Sequence, residues 1–214
     1  NSSHEFNMAD WCRLSLAADI QWDALKSTEY NEERVAVITA AAAMFKVNGF
    51  TSRLTLEYNG ITDPGKRCNH LFSPAFDVKF RICEGVNLAG YVRRAHRVPV
   101  FNELYYAGYG NPDLSTEKAW LTDLGVDYHK SLAKHWSLKV MADIFFNSLR
   151  DKIISAPSAD DPNIWKPYNI GRVLSHGSDI SAGVKYNSRF SFSAEVKYSY
   201  VNAVDRTQDS PEYG

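Results

Sequence analysis

Residues able to do covalent chemistry occur throughout this sequence, but never at the spacing that chemistry needs. The six histidines, His4, His70, His96, His129, His135 and His176, contain no His-Glu-x-x-His pair or related spacing, the arrangement that sets two imidazoles on one face around zinc. Ser175 and His176 are adjacent, and successive side chains of an extended chain point to opposite faces, so they make no nucleophile and base. There is no Gly-x-Ser-x-Gly elbow and no phosphate loop. Asp160-Asp161 offers oxygens of the kind calcium takes, but two adjacent acids define no site. Cys12, Cys68 and Cys83 are widely spaced and odd in number, which argues against a disulfide scaffold and leaves at least one thiol free. No catalytic residue, metal or cofactor is therefore expected, and the chain reads as a non-enzyme.

Binding chemistry is concentrated between residues 97 and 117. Tyr105, Tyr106, Tyr109 and Asn111 combine aromatic rings with an amide, a set that can grip a large polar ligand, and they are the ligand-binding candidates. Arg97 can pair with Glu103 or Glu117, and exposed pairs of this type contribute about 0–1 kcal/mol. Pro99, Phe101, Leu104, Gly110 and Pro112 are expected to fix the shape of the loop. Nucleic acid is excluded as a partner on charge, because 24 basic residues against 25 acidic ones leave no basic excess.

The elements that position this segment follow from a repeat of two. Ile180, Ala182, Val184 and Tyr186 alternate with Ser181, Gly183 and Lys185. Phe190, Phe192, Ala194, Val196, Tyr198 and Tyr200 alternate with Ser191, Ser193, Glu195, Lys197 and Ser199. Period two over such lengths is a strand signal, and the two runs predict a hairpin. Trp136 to Phe146, Trp120 to Tyr128, Phe76 to Ile82, Leu54 to Tyr58 and Leu14 to Trp22 carry the same alternation. Val35–Phe45, with its run of alanines, could be helical on propensity alone, but the Val35, Val37, Thr39 series and its place between strands predict a strand. The map has nine strands, near 13–25, 34–46, 51–60, 74–83, 86–97, 117–130, 134–155, 168–187 and 190–206.

Short and long connections alternate along that map, as short periplasmic turns and longer outer loops do in outer-membrane barrels. The long links fall at 59–73, 98–116 and 156–167, with Pro112, Pro157, Pro162 and Pro167 among them. Most runs reach the roughly 9–11 residues of a tilted membrane strand, where soluble strands average about 5 or 6. Trp22, Tyr58, Trp120, Tyr128, Trp136, Phe146, Tyr186, Phe190 and Tyr200 sit near strand ends, where aromatic girdles belong. No run of 18 apolar residues predicts a spanning helix and no signal peptide is expected at Asn1. The predicted class is all-β, an antiparallel meander of long strands.

The segment Arg97-Val98-Pro99-Val100-Phe101-Asn102-Glu103-Leu104-Tyr105-Tyr106, followed by Gly108-Tyr109-Gly110-Asn111-Pro112-Asp113-Leu114-Ser115-Thr116-Glu117-Lys118, resembles the barrel signature of TonB-dependent outer-membrane receptors, nearest in flavour to the vitamin B12 and siderophore group. Phe145-Phe146-Asn147, Asp151-Lys152-Ile153-Ile154 and Asn169-Ile170-Gly171 fit the same pattern, while Ser115-Thr116-Glu117 stands where the family commonly has Lys-Pro-Glu. The resemblance implies that residues 1–214 are a partial barrel domain of about nine strands, drawn from a barrel of about 22 strands, with the plug domain and remaining strands absent. It implies uptake of a scarce, bulky nutrient such as an iron-siderophore or cobalamin, and location in the outer membrane of a Gram-negative bacterium. The implied partners are the TonB complex acting through the missing plug, the ligand, outer-membrane lipid and a surface lipoprotein. Lys79, Arg81, Lys139, Asp143, Lys185, Glu195 and Lys197 are expected in the lumen, hydrating it and facing a plug.

The competing expectation is a soluble or surface β-barrel or sandwich that binds a ligand without transporting it. The two differ in whether the face of Phe190, Phe192, Val196 and Tyr198 lies bare or against a second layer. A membrane arc held in water is expected to self-associate through that face and its open edges. Light scattering without detergent tests this, and a stable monomer would oppose the membrane assignment.

Overall fold

Each strand here is long because only alternate residues need be apolar, so a strand can run on while one face stays polar. The structure, a computed structural model, describes residues 2–63, 68–158 and 161–207. These form one antiparallel sheet in the order β1 to β10, each strand pairing with its neighbours in sequence. The strands are β1 (Ser2–Ala9), β2 (Cys12–Lys26), β3 (Asn31–Val47), β4 (Phe50–Thr62), β5 (Asn69–Cys83), β6 (Val86–Arg97), β7 (Glu117–Ala133), β8 (Trp136–Pro157), β9 (Trp165–Asn187) and β10 (Ser191–Asp205). A short helix, α1 (Phe101–Tyr105), interrupts the β6–β7 connection. No helix among the described residues is long and apolar enough to cross a membrane, which says nothing about a β-barrel.

The described residues hold ten strands where the alternation predicts nine. β1 escapes the pattern because Phe6 and Met8 are its only large apolar residues, yet it pairs in register with β2, Phe6 opposite Leu14 and His4 opposite Leu16. The predicted long links are also partly strand. β5 begins at Asn69, five residues before the expected start, because Pro74 does not break it. On one side Pro74 lies opposite Leu56, and on the other the ladder to β6 begins only at Ala75. The missing N–H therefore falls where the strand has one neighbour, the position a strand tolerates for proline. β8 and β9 likewise continue to Pro157 opposite Trp165, which places Pro157 and the fully buried Pro167 inside the ladder. Val35–Phe45 lies within β3 as a strand.

Connections alternate in length. Residues 10–11, 48–49, 84–85, 134–135 and 188–190 close one end of the sheet, and 27–30, 63–68, 98–116 and 158–164 the other. Asn48 (φ 42) and Gly49 (φ 83) both take left-handed backbone, the paired positive φ of a two-residue hairpin turn. Gly85 (φ 78) makes room for a bulge beside Cys83, and its carbonyl accepts the His129 N–H at 2.7 Å. A Cβ there would collide with the His129 carbonyl.

One face of the sheet is apolar and bare. Phe190 is 70% exposed and Val196 75%, with Phe192 and Tyr198 also exposed, and no second layer covers them among the described residues. In-register rows on this face put Leu54 beside Phe76, Leu124 beside Ile144 and Ile180 beside Tyr198. Aromatic rows flank it. At the short-turn end Trp136 and Tyr186 pack at 5.0 Å, and Tyr186 and Phe190 at 5.5 Å. Tyr58 and Phe72 meet at 5.3 Å toward the long-loop end. The opposite face carries Arg53 across from Asp77, Asp143 across from Asp179, and Asn87 donating to Asp127 at 2.8 Å. Its one buried apolar cluster among the described residues is Ala36, Ile61 and Leu71, with Val98 packed on it. That cluster marks where the β6–β7 loop folds over the polar face.

Ile180 lies opposite Ala142, midway between the Trp136 and Phe146 levels. Ile180→Arg should lower folding stability in lipid vesicles by about 2–4 kcal/mol, the cost of an arginine at mid-bilayer on the lipid face. Ser181→Arg, one residue on, should cost far less. Urea titration of both variants checks the assignment of faces, and equal losses would contradict it.

Candidate functional site at the long-loop end

The β6–β7 loop is built around one guanidinium. Arg97, the last residue of β6, donates from Nη1 to both Glu103 oxygens at 3.0 Å and from Nη2 to Glu117 Oε1 at 2.8 Å. Both candidate carboxylates thus share one arginine. Glu103 is more than a counter-ion, since its Oε2 accepts the Val100 N–H at 2.9 Å and closes the first turn of α1. A helix of five residues has no stable nucleus of its own, and this contact supplies one. Glu117 Oε1 also accepts the Ile153 N–H at 2.7 Å, which ties the loop base to β8. Both groups lie beyond the outer aromatic row. Burial pushes the Glu117 carboxyl up, but the hydrogen bonds from Arg97 and Ile153 outweigh it and hold the group below its ordinary value. The hydrogen bond to Glu117, with a further one to Glu103, raises Arg97 against the opposing effect of burial.

Asn111 is fully engaged within the protein. Its N–H donates to the Glu103 carbonyl at 2.8 Å, its Nδ2 to the Pro167 carbonyl at 2.9 Å, and its Oδ1 accepts from the Asp113 N–H at 3.1 Å. Gly110 packs so close to α1 that a Cβ would stand 2.7 Å from the Leu104 carbonyl oxygen. Leu104 is 4% exposed. The Tyr109 hydroxyl shares a 2.6 Å hydrogen bond with Ser155. Tyr105 packs between Tyr30 and Phe101, with centroids at 6.1 and 6.3 Å. Tyr106 is different, at 48% exposed. Pro112 lines a cleft beneath the loop with Leu104 and Leu71.

Residues far away in sequence fasten this loop. Arg34 of β3 donates bidentately to Asp63 at 2.7 and 3.1 Å and to the Pro99 carbonyl at 3.0 Å. Its guanidinium stands 5.0 Å from the centre of the Phe101 ring. The Tyr30 hydroxyl donates to Asn102 Oδ1. Asn169 of β9 accepts the Ser115 N–H at 2.7 Å and donates to the Ser115 and Asp151 carbonyls. Sequence reasoning misses Arg34 because Glu32-Glu33-Arg34 looks like a solvated charge run. The available signal was parity, since Arg34 continues the inward series Ala36 and Ile38. Of the calcium pair, Asp161 accepts the Asn163 N–H at 2.9 Å, and Asp160 lies outside the described residues. No cluster of three metal-ligating side chains occurs among the described residues.

A meander with a bare apolar band, aromatic rows at both limits, a polar opposite face and a fastened loop at one mouth defines the wall of an outer-membrane barrel. Residues 5–214 match the family model described as TonB dependent receptor-like, beta-barrel. The chain belongs to that family, whose members are outer-membrane transport proteins of Gram-negative bacteria and not enzymes. No curated protein gives a match. Among solved structures, the FrpB iron transporter from Neisseria meningitidis (F3-3 variant) is 16% identical with TM-score 0.72, over 99% of this chain and 37% of that one. The siderophore receptor PirA from Pseudomonas aeruginosa is 16% identical with TM-score 0.70, over 97% of this chain and 42% of that one. The hemophore receptor HasR from Serratia marcescens is 13% identical with TM-score 0.62, over 91% and 40%. The chain thus spans well under half the length of these relatives.

The depressed Glu117 carboxyl has a definite sign: its contribution to loop stability is present above the ordinary carboxylate value and is lost as pH falls through the folded value. Hydrogen exchange at the Ile153 amide should therefore lose protection, relative to the intrinsic rate at each pH, as pH falls below the ordinary carboxylate value. Glu117→Gln should accelerate it at neutral pH and remove most of the pH dependence. A second test lies at Arg34, whose side chain is 11% exposed. Arg34→Ala strands the Asp63 carboxylate, a change of about 3–5 kcal/mol for a buried pair, and limited proteolysis should then cut within 98–116.

Proposed function

We propose that this chain is an arc of the wall of a TonB-dependent transporter that takes up a scarce nutrient too bulky to diffuse across the outer membrane, with a ferric siderophore as the favoured cargo. The observation that carries this is the β6–β7 loop, fastened over the polar face and holding Tyr106 outward at its mouth. An aromatic ring there adds apolar area and a π face while costing little conformational entropy on binding. Iron or a siderophore is named for several of the structural relatives, among them the FrpB iron transporter and the PirA siderophore receptor, and cobalamin is named for neither of these. Heme is the next candidate cargo, from the likeness to the hemophore receptor. In this reading the plug and the remaining strands lie outside the chain, and the TonB complex acts through that plug. Reading the chain as a soluble ligand-binding β-protein fits poorly, because nothing among the described residues covers the face of Phe192 and Val196.

The test is uptake of radiolabelled iron by cells whose own siderophore receptors are deleted and which express the full-length protein. Transport should appear with ferric siderophore and vanish in a strain lacking TonB. Tyr106→Ala should weaken binding roughly tenfold, about 1.4 kcal/mol, as expected for losing one aromatic contact. Uptake of heme or copper alone would reassign the cargo, and uptake unaffected by loss of TonB would sink the proposal.

A further inference from the structure

Two neighbouring strands, β5 and β6, part before either of them ends. Their ladder starts at Ala75 opposite Arg93, although β5 goes on pairing with β4 up to Asn69 opposite Ile61 and β6 with β7 up to Arg97 opposite Glu117. Residues 69–74 and 94–97 therefore form two lips with no ladder rung between them, and Pro74 has no N–H with which to make one. This seam begins at the outer aromatic row, since Arg94 stands opposite Trp120. Below that level an unpaired backbone would meet hydrocarbon, whereas above it water can serve the freed groups.

Side-chain contacts close the seam instead. The Ser73 hydroxyl and His96 Nδ1 share a hydrogen bond at 3.1 Å, and Val98 packs on Leu71 and its cluster. Higher up, Arg34 reaches across to the Pro99 carbonyl at 3.0 Å and Tyr30 to Asn102. The closure leaves a hollow of about 290 Å³ on the inward side, with Asn59, Ser73, Arg93 and His96 in its lining. The buried Asn59 Oδ1 has no hydrogen-bond partner among the described residues. An unpaired buried acceptor is costly, and any arrangement that lets water reach it relieves that cost. The mouth loop is tied differently to its other side. The β6–β7 ladder carries it, and Asn111, Tyr109 and Glu117 fasten it to β8 and β9.

We propose that the wall is hinged at Ala75 and Arg93. The strands β6 to β9 move with the mouth loop as one body, β2 to β5 move as another, and the seam parts above the hinge to widen the mouth. Parting breaks side-chain contacts and no rung of the ladder, and it opens Asn59 Oδ1 to water. The hinge follows from the sheet alone, while its part in admitting cargo rests on the transporter reading above.

Pulsed electron-spin distance measurement on the full-length protein in lipid vesicles tests the hinge, with the native cysteines, Cys12, Cys68 and Cys83 among them, replaced by serine. Spin labels at Phe72→Cys and Val100→Cys span the seam, and labels at Val100→Cys and Trp165→Cys lie within one body; all three positions are exposed. The seam pair should show two distances, and His96→Ala should raise the share of the longer one about fivefold, as expected for losing one hydrogen bond. The control pair should keep a single distance. One unchanged distance across the seam overturns the proposal, and so does equal broadening of both pairs, which would mean a loose loop. Should His96→Ala fail to fold, the distances in the protein that keeps His96 decide alone. In the iron-uptake assay, a reductant-cleavable tether between Ser73→Cys and His96→Cys should slow entry of ferric siderophore about tenfold, and reductant should restore it. Uptake indifferent to the tether overturns the part of the seam in transport. A protein that takes up no ferric siderophore with the tether open overturns the cargo reading instead, and the distances still decide the hinge.

Discussion

Lipid offers no hydrogen bonds, and every feature of this sheet answers that constraint. A backbone N–H or C=O left unpaired in hydrocarbon costs several kcal/mol, so strands that enter it must pair along their whole immersed length. Among the described strands β2 to β9 have a neighbour on both sides and β1 and β10 on one, by the simplest connectivity, each beside its sequence neighbour. Irregularities are placed where the ladder can absorb them. Pro74 sits at a point with one partner strand, and the bulge at Cys83 sits beside a tight turn. Asp151, at φ 56, bends β8 above the apolar band, where Asn169 can reach its carbonyl.

With the backbone satisfied, side chains divide by parity, and the two faces face different solvents. The inward face accepts arrangements that a dry core would reject, such as Asp143 directly across from Asp179, because water and mobile ions screen them. It is also where the mouth loop finds its support. Arg97 and Arg34 act as two clamps, one at the base of the loop and one across the mouth on β3, and together they turn a connection containing five helical residues into a defined surface. Asn111 completes the fastening by joining α1 to β9.

Much of this was legible in the sequence because membrane strands write their environment into every second residue. Phe190 to Tyr200 and Trp136 to Phe146 are unambiguous on that ground. β1 was not, since two apolar residues in eight cannot establish a period. The extensions of β5, β8 and β9 were hidden by proline, whose effect depends on whether a neighbour needs its N–H, and that is a property of the sheet. At the mouth, the residues of the 97–117 segment drew notice by type and spacing. Their supports, Arg34, Tyr30 and Asn169, lie far away in the chain, and nothing local marks an arginine that will reach a carbonyl on another strand.

The long pairing of β8 with β9 has one more consequence. From Arg150 opposite Arg172 the ladder continues to Pro157 opposite Trp165, seven further residues and about 23 Å of strand. The pair therefore stands above the membrane as a stiff mast, and the mouth loop leans on it through Tyr109 and Asn111. Those two contacts fall on Ser155 and Pro167, a directly opposed pair two rungs below the end of the ladder, so the loop braces the mast near its tip and the mast in turn holds the loop at a fixed height.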